Sequence, residues 1–287
     1  MTTQLHPLLH EAHITFIGGG NMGRALIGGL LTSGLLAKQI AVVEPFSATA
    51  EKLRADFGIV VLDSIDALKL DSSVVQIVVL AIKPQDFKQV ASALAPHLKS
   101  LPPQQLLIIS IAAGIRLSSM THWLAHSRCV RAMPNTPALI GMGITGLCAD
   151  ASVDGAGRSQ AEAICNAVGQ SVWVQDETLI DSVTALSGSG PAYVFAFLEA
   201  LQSGGEKLGL DAASAKALAY ATLQGAAQLA INSSDSASTL REKVTSKGGT
   251  TAAALAILQE KDWQGILETA LAAAAKRGKA MGDELAS

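Results

Sequence analysis

The sequence has few cysteines, few aromatic residues and few charges for its length. Three cysteines occur among 287 residues, and no two of them form a C-x-x-C pair. An odd, unpaired set argues against a disulfide framework and against a thiolate-ligated zinc site. Aromatic residues make up 4% and charged residues 16% of the chain, whereas hydrophobic residues reach 49%. A composition this apolar excludes intrinsic disorder and favours extensive burial in a sheet core or a subunit interface.

A basic block, a long apolar run and a secretion signal are also missing. The 21 Lys and Arg residues are outnumbered by 24 Asp and Glu residues, which gives a net charge of −3. With no basic cluster to neutralise phosphates, we expect no nucleic-acid partner. The longest apolar stretch, residues 74–82, is too short to span a bilayer as a helix. The N-terminus lacks a basic region followed by an apolar one, so we expect a cytoplasmic protein without a membrane span.

The first half of the chain alternates between short apolar runs and helix-like runs. The apolar, β-prone runs lie at residues 14–17, 40–43, 74–80, 106–110 and 129–132, and a further short strand candidate lies at 171–174. Apolar runs that alternate with helices predict βαβ units and a parallel sheet, that is, an α/β Rossmann domain.

The second half is rich in Ala, Leu and Gly and predicts an all-α domain. Asp211 can cap a helix over residues 212–231, and Thr239 with Glu242 fits a capping box. Helices with so many small residues bury little area each, so we expect them to pack against a second copy as a homodimer or larger homo-oligomer. We place the domain boundary near residue 170, which gives a dinucleotide-binding domain over 1–170 and a helical dimerisation domain over 171–287.

A G-x-G-x-x-G pattern follows the first apolar run and opens a helix. In this context the pattern predicts a dinucleotide site. Gly18 permits the tight turn, Gly20 lets the backbone approach a pyrophosphate, and Gly23 allows close packing of helix and strand. The N-terminus of the helix, which begins with Asn21 and Met22, offers amide groups to the phosphates.

Glu44 lies at the end of the second strand run, 21 positions after Gly23. This is close to the spacing of about 20 residues for an acid that accepts the ribose 2′-hydroxyl of NADH. The alternative is a side chain that turns to solvent.

Five segments together resemble pyrroline-5-carboxylate reductase, and they occur in that family's order and spacing. They are FIGGGNM (16–22), LAIKP (80–84), RAMPNTPA (131–138), LSGSGPAY (186–193) and SKGGTT (246–251). The resemblance implies a Rossmann domain followed by a helical dimerisation domain. It also implies reduction of L-1-pyrroline-5-carboxylate to L-proline, the last step of proline synthesis, with NADPH or NADH.

The resemblance also suggests site residues, although none is assigned as a catalytic acid and no metal is expected. The loop of Ala81, Lys83 and Pro84 would border the dinucleotide, with Lys83 either a contact or a solvated turn residue. Asn135 and Thr136 would lie near the nicotinamide, unless their segment is only a rigid connector. The substrate carboxylate would be bound at the N-terminus of a helix, with Ser189 lining the pocket; the residues expected at this N-terminus are Ser246, Gly248, Gly249, Thr250 and Thr251.

One departure from the family stands out, and two other functions stay open. Relatives usually have proline before the paired glycines, where this chain has Lys247. A hydroxy-acid dehydrogenase of similar plan would need a lysine or histidine proton donor, which none of the motifs makes evident. A binding protein that senses the cofactor would bind the dinucleotide without turnover. His122 and His126, four residues apart, lack the third ligand of a zinc site.

Overall fold

The computed structural model describes residues 6–286, which form two compact units. The first unit contains the described residues through Ser189 together with those from Ala274 onward, and the second is Gly190–Ala273.

An eight-stranded sheet organises the first unit. Its strands have the spatial order β3-β2-β1-β4-β5-β6-β7-β8. All neighbouring strands pair in parallel except β6 and β7, which are antiparallel. The first six strands follow the doubly wound order of a dinucleotide-binding sheet, so the predicted Rossmann domain is confirmed. The strands are β1 His13–Ile17, β2 Ile40–Val43, β3 Val60–Leu62, β4 Gln76–Leu80, β5 Leu106–Ser110, β6 Cys129–Met133, β7 Gly143–Ala149 and β8 Gly169–Trp173.

Both faces of the sheet are covered, which explains the continuous apolar runs. Every residue of β4 and β5 is buried, as expected for central parallel strands between two layers of helices. One core cluster contains Ile14 and Phe16, and a second contains Ile17 and Leu80. The helices of this unit are α1 Asn21–Thr32, α2 Ser47–Phe57, α3 Phe87–Leu98, α4 Leu117–Leu124, α5 Gly155–Asn166 and α6 Leu179–Val183.

The sheet is larger than the sequence pattern indicates. The three-residue β3 and the antiparallel β7 have no counterpart among the predicted strands. The predicted domain boundary between residues 170 and 171 falls inside β8, whose pairing with β7 carries the first unit on to Ser189. His122 and His126 do not share a helix face, because α4 ends at Leu124 and His126 lies beyond it.

A buried arginine joins β6 to the segment that follows β8. Arg131 is only 2% exposed, and its guanidinium lies 3.1 Å from the Glu177 carboxylate and 3.5 Å from that of Asp181. Glu177 also accepts a 2.7 Å hydrogen bond from the Leu117 amide at the start of α4. A buried cation is tolerated here because two carboxylates surround it.

Arg116 connects the same cluster to Asp283 near the C-terminus of the chain. The Arg116 guanidinium lies 3.2 Å from the Asp181 carboxylate and 3.5 Å from that of Asp283. A Cβ at Gly282 would come within 2.9 Å of the Arg116 side chain, so a larger residue here would have to displace the guanidinium. Lys279 donates a 2.7 Å hydrogen bond to Asp283, and this ammonium holds the pKa of that carboxyl below its usual range.

The second unit is helical, as predicted. The Asp211 carboxylate accepts hydrogen bonds from Ala213 and Ser214 at the start of α8, which confirms the predicted cap. The predicted capping box is wrong: Ser236 is the N-cap of α9, and Thr239 is the third helical residue that donates its amide to the Ser236 hydroxyl. No helix within residues 6–286 is long and apolar enough to cross a membrane. The helices are α7 Gly190–Lys207, α8 Ala212–Ile231, α9 Ala237–Lys243, α10 Thr250–Glu260 and α11 Trp263–Ala286, whose part from Ala274 belongs to the first unit.

The helices of the second unit leave much apolar surface uncovered. Among its residues the buried hydrophobic side chains are Leu198, Ala215 and Ala219. Phe195 is 59% exposed and Ile231 73% exposed. Exposed apolar patches of this kind are typical of a protein–protein interface.

We expect Arg131→Met to destabilise the first unit strongly. The variant leaves Glu177 without its cation and Asp181 with Arg116 alone, so the free energy of unfolding should fall by about 3 kcal/mol. Chemical denaturation at a fixed protein concentration measures this change. Lys261→Met, which removes an exposed ion pair with Glu260, is the control and should cost less than about 1 kcal/mol. Equal losses in the two variants would contradict the role of the buried cluster.

Candidate functional site

The glycine loop joins β1 to α1 at the edge where the parallel strands end. Gly18 has a φ of +94°, and a Cβ there would lie 2.6 Å from the Ala81 carbonyl oxygen. Its amide donates a 2.9 Å hydrogen bond to the Val43 carbonyl. The turn therefore requires glycine, and it fixes the loop against the ends of both β2 and β4.

The two other glycines of the pattern have the geometry of a phosphate-binding loop. A Cβ on Gly23 would lie 2.9 Å from the Gly18 carbonyl oxygen, so this glycine permits close packing of α1. A Cβ on Gly20 would meet nothing within 4 Å. Gly20 is the N-cap of α1, and no side chain caps the first amides of that helix. Asn21 is exposed there and Met22 is partly buried, so open space and free amides coincide where a pyrophosphate would bind.

Glu44 is buried beneath this loop. Its side chain is 5% exposed, which excludes the alternative that it turns to solvent. One carboxylate oxygen accepts a 2.9 Å hydrogen bond from the Gly19 amide, and the other accepts a 3.0 Å bond from the Phe46 amide. No cation within residues 6–286 forms an ion pair with it. The carboxylate therefore ties the glycine loop to the loop after β2, and each oxygen keeps a further lone pair for a ribose hydroxyl.

Gly19, the middle residue of the three consecutive glycines, is a site residue that pattern matching missed. A Cβ on Gly19 would collide with the Leu53 side chain and would lie 3.4 Å from the Glu44 carboxylate. The position is an unspecified one in the G-x-G-x-x-G pattern, and the third consecutive glycine is the only signal in the sequence.

Ala81, Lys83 and Pro84 follow β4 at the same edge. The Ala81 amide donates a 2.8 Å hydrogen bond to the Ile17 carbonyl, which places Ala81 directly beside the glycine loop. Lys83 is exposed, and Pro84 begins a short 3-10 turn ahead of α3. The loop thus has the position expected for a cofactor contact, and the role of the lysine side chain stays a prediction.

Asn135 and Thr136 lie in the connection between β6 and β7. Asn135 is 9% exposed: its amide nitrogen donates to the Ser187 carbonyl at 3.1 Å, and its oxygen accepts from the Ile144 amide at 2.9 Å. These bonds give Asn135 a structural role, whereas Thr136 is exposed. A nicotinamide contact by either residue stays a prediction.

Ser189 closes a π-helical turn. The turn covers Thr184–Gly188, and the Ser189 amide donates to the Thr184 carbonyl at 2.8 Å. A Cβ on Gly188 would lie 2.7 Å from the end of the Met133 side chain, so the glycine lets this turn approach the residue that ends β6. Single π-turns of this kind are frequent at functional sites.

The remaining predicted residues, Ser246 to Thr251, lie in the second unit at the start of α10. The Gly249 amide donates a 3.1 Å hydrogen bond to the Ser246 carbonyl, and Gly248 has a φ of +72°. Because Lys247 does not have a positive φ, these four residues form a type II turn. Gly249 is the N-cap of α10 and provides no side-chain cap, so the amides of Thr250 and Thr251 are available to an anion.

The cysteines are not placed for chemistry. All three are buried and unpaired. Burial raises the pKa of the Cys129 and Cys165 thiols to about 12, so neither is a thiolate near neutral pH. Within residues 6–286 no three His, Cys, Asp or Glu side chains come together as a metal site.

Two family models match the chain. Residues 177–281 match the model described as pyrroline-5-carboxylate reductase dimerisation. Residues 13–114 match the model described as NADP oxidoreductase, coenzyme F420-dependent.

Individual relatives match over nearly the whole chain. The pyrroline-5-carboxylate reductase of Pseudomonas aeruginosa is 45% identical over 95% of this chain and 97% of its own length. A solved structure of a pyrroline-5-carboxylate reductase from Coxiella burnetii has a TM-score of 0.87 at 38% identity, with 95% of this chain and 99% of the other covered. The Plasmodium falciparum pyrroline carboxylate reductase, solved with NADP bound, has a TM-score of 0.79 at 29% identity, with coverages of 94% and 98%.

We expect Gly20→Ala to separate dinucleotide binding from folding. The added methyl group enters open space, so the melting temperature should barely change, while the affinity for NADPH or NADH falls about tenfold or more because the pyrophosphate can no longer approach the backbone. Fluorescence titration and thermal unfolding measure the two effects. Gly155→Ala, also at a position with open space, is the control and should leave both unchanged. Cofactor binding by Gly20→Ala at the wild-type affinity would refute the assignment of the loop.

Proposed function

Because this chain belongs to the pyrroline-5-carboxylate reductase family, we propose that it reduces L-1-pyrroline-5-carboxylate to L-proline with NADPH or NADH. This reaction is the final step of proline biosynthesis. The observation that carries the proposal is the near-complete match to a reductase 45% identical, together with a glycine loop whose open face fits a dinucleotide. The names of the relatives do not favour the alternatives of a hydroxy-acid dehydrogenase or a cofactor-sensing protein.

The cofactor would be held by residues of the first unit. Gly18, Gly20 and Gly23 shape the loop for the pyrophosphate, and the first turn of α1 with Asn21 and Met22 supplies amides. The loop of Ala81, Lys83 and Pro84 would border the dinucleotide from β4, and Thr136 and Asn135 would border the nicotinamide. The reduced nicotinamide supplies the hydride, so the residues of the chain have to bind, orient and exclude water.

The substrate carboxylate would be bound at the start of α10. Gly248 and Gly249 would shape the turn, and the amides of Thr250 and Thr251, with the hydroxyls of Ser246 and the two threonines, form a donor set suited to a carboxylate. A protonated cyclic imine is already electrophilic, so the reaction requires no strong acid from the protein. None of the residues proposed for the site therefore needs to act as a general acid.

The chain would act as a homodimer or larger homo-oligomer. Its helical unit carries the family's dimerisation segment, and the exposed apolar side chains of that unit would be buried in such an assembly. We also propose a cytoplasmic location, which three buried and unpaired cysteines support because such thiols persist in a reducing compartment.

The direct test follows the absorbance of NADPH and NADH separately in the presence of pyrroline-5-carboxylate. We expect oxidation of cofactor that depends on substrate, with one proline formed per cofactor oxidised. Folded protein that binds the dinucleotide yet consumes none of it would contradict the reductase function and favour a binding protein.

Glu44 should decide between the two cofactors. Its buried negative charge accepts a ribose hydroxyl and disfavours a 2′-phosphate, so Glu44→Gln should shift the ratio of the NADPH and NADH dissociation constants toward NADPH about tenfold. Because glutamine has one acceptor oxygen, either the Gly19 or the Phe46 amide also loses its partner, and stability should fall by about 1–3 kcal/mol. Equilibrium titration with each cofactor and chemical denaturation measure these changes. Glu51→Gln, which removes an exposed charge from α2, is the matched control; an unchanged ratio in Glu44→Gln would argue against selection by this carboxylate.

A further inference from the structure

Lys247 occupies a position where the turn geometry favours proline. It is the second residue of the type II turn Ser246-Lys247-Gly248-Gly249, in which the third residue has the required positive φ, +72° at Gly248. Proline suits the second position of such a turn because its fixed φ of about −65° matches the conformation needed there. A lysine at this position lacks that fixed φ and gives a less rigid turn, but it brings a positive charge that proline does not have.

The side chain of Lys247 is a cation without a structural partner. It is exposed, and no carboxylate within residues 6–286 lies at ion-pair distance from it. The nearby Lys243, in contrast, is neutralised by an ion pair with Asp235 at 2.5 Å. Lys247 therefore adds an uncompensated positive charge to a chain whose net charge is −3.

Lys247 precedes the first of the donors proposed for the substrate, Thr250, by three residues in the chain. Gly248 and Gly249 follow Lys247, and the uncapped amides of Thr250 and Thr251 follow these two glycines. A small anion that binds to these amides therefore approaches a segment of the chain that carries a positive charge. Two unit charges about 7 Å apart in water attract each other by roughly RT, and this attraction is strongest at low ionic strength.

We propose that Lys247 is a specificity-determining residue that attracts the anionic imino-acid substrate electrostatically. The proposal rests on the proposed function of the α10 N-terminus as the carboxylate site. Lys247 takes no part in hydride transfer, so it acts on substrate capture and leaves the chemical step alone.

Three substitutions separate the charge from the backbone effect. Lys247→Gln removes the charge, Lys247→Arg keeps it, and Lys247→Pro removes it while making the turn rigid. With saturating cofactor at low ionic strength, we expect the KM for pyrroline-5-carboxylate to rise about threefold in Lys247→Gln and in Lys247→Pro, with kcat unchanged. Lys247→Arg should keep the wild-type KM.

Ionic strength and a control lysine complete the experiment. High salt should raise the wild-type KM and abolish the difference between wild type and Lys247→Gln, while the dissociation constant for NADPH stays the same in all variants. Lys207→Gln removes an exposed charge from α7 in the same unit and should leave the KM unchanged. Thermal unfolding confirms that each variant is folded.

Two results would overturn the proposal. A KM that is unchanged in Lys247→Gln at low salt removes the charge effect, and a KM that falls in Lys247→Pro shows that rigidity of the turn outweighs the charge. Both results presuppose wild-type turnover. If wild-type protein does not reduce pyrroline-5-carboxylate at all, it is the proposed function that fails.

Discussion

The parallel pairing of β1 with β4 at the centre of the sheet is the constraint on which the cofactor site depends. Its register sets Ile17 opposite Leu80, so both strands end at the same level and their following loops meet. Gly18 then abuts Ala81 so closely that no side chain fits between them. The strand order reverses at this pair, and open α/β sheets bind their ligands where this reversal occurs. Complete burial of β4 and β5 keeps the arrangement rigid.

Glu44 has a structural role in the glycine loop, and we propose a selective role for the same carboxylate. Two backbone amides hold it, and no cation within residues 6–286 pairs with it, so its carboxylate stays close to the glycine loop. The bonds that fix the loop also fix the position of the carboxylate that we propose for the ribose. Elsewhere in this unit, buried charges such as Arg131 are matched by opposite charges and hold the sheet to the segments that follow it.

The helical unit differs from the first unit in how little apolar surface it buries by itself. Its alanine-rich helices have few large side chains to bury, and among its residues the hydrophobic side chains that are buried number only three. The chain belongs to a family with a dimerisation segment that covers these helices, so association with another copy supplies the burial that the unit lacks. The low overall charge and high apolar content of the sequence have the same origin.

The sequence by itself determined the elements that local patterns encode. Strands such as β2 and β5, the cap of α8 at Asp211 and the conformational roles of Gly18 and Gly23 follow from apolar period, capping chemistry and backbone conformation, which are local properties. The sequence motifs also identified the family and its reaction. Only the tertiary structure decided that β7 runs antiparallel, that Asn135 is engaged by Ser187 and Ile144, and that Arg116 and Arg131 meet acids about 50 to 170 residues away in the chain. It also decided that Glu44 bonds to the backbone of the glycine loop. These contacts join residues that are distant in sequence. Packing and burial in the folded chain determine which residues meet, and a local sequence pattern does not contain that information.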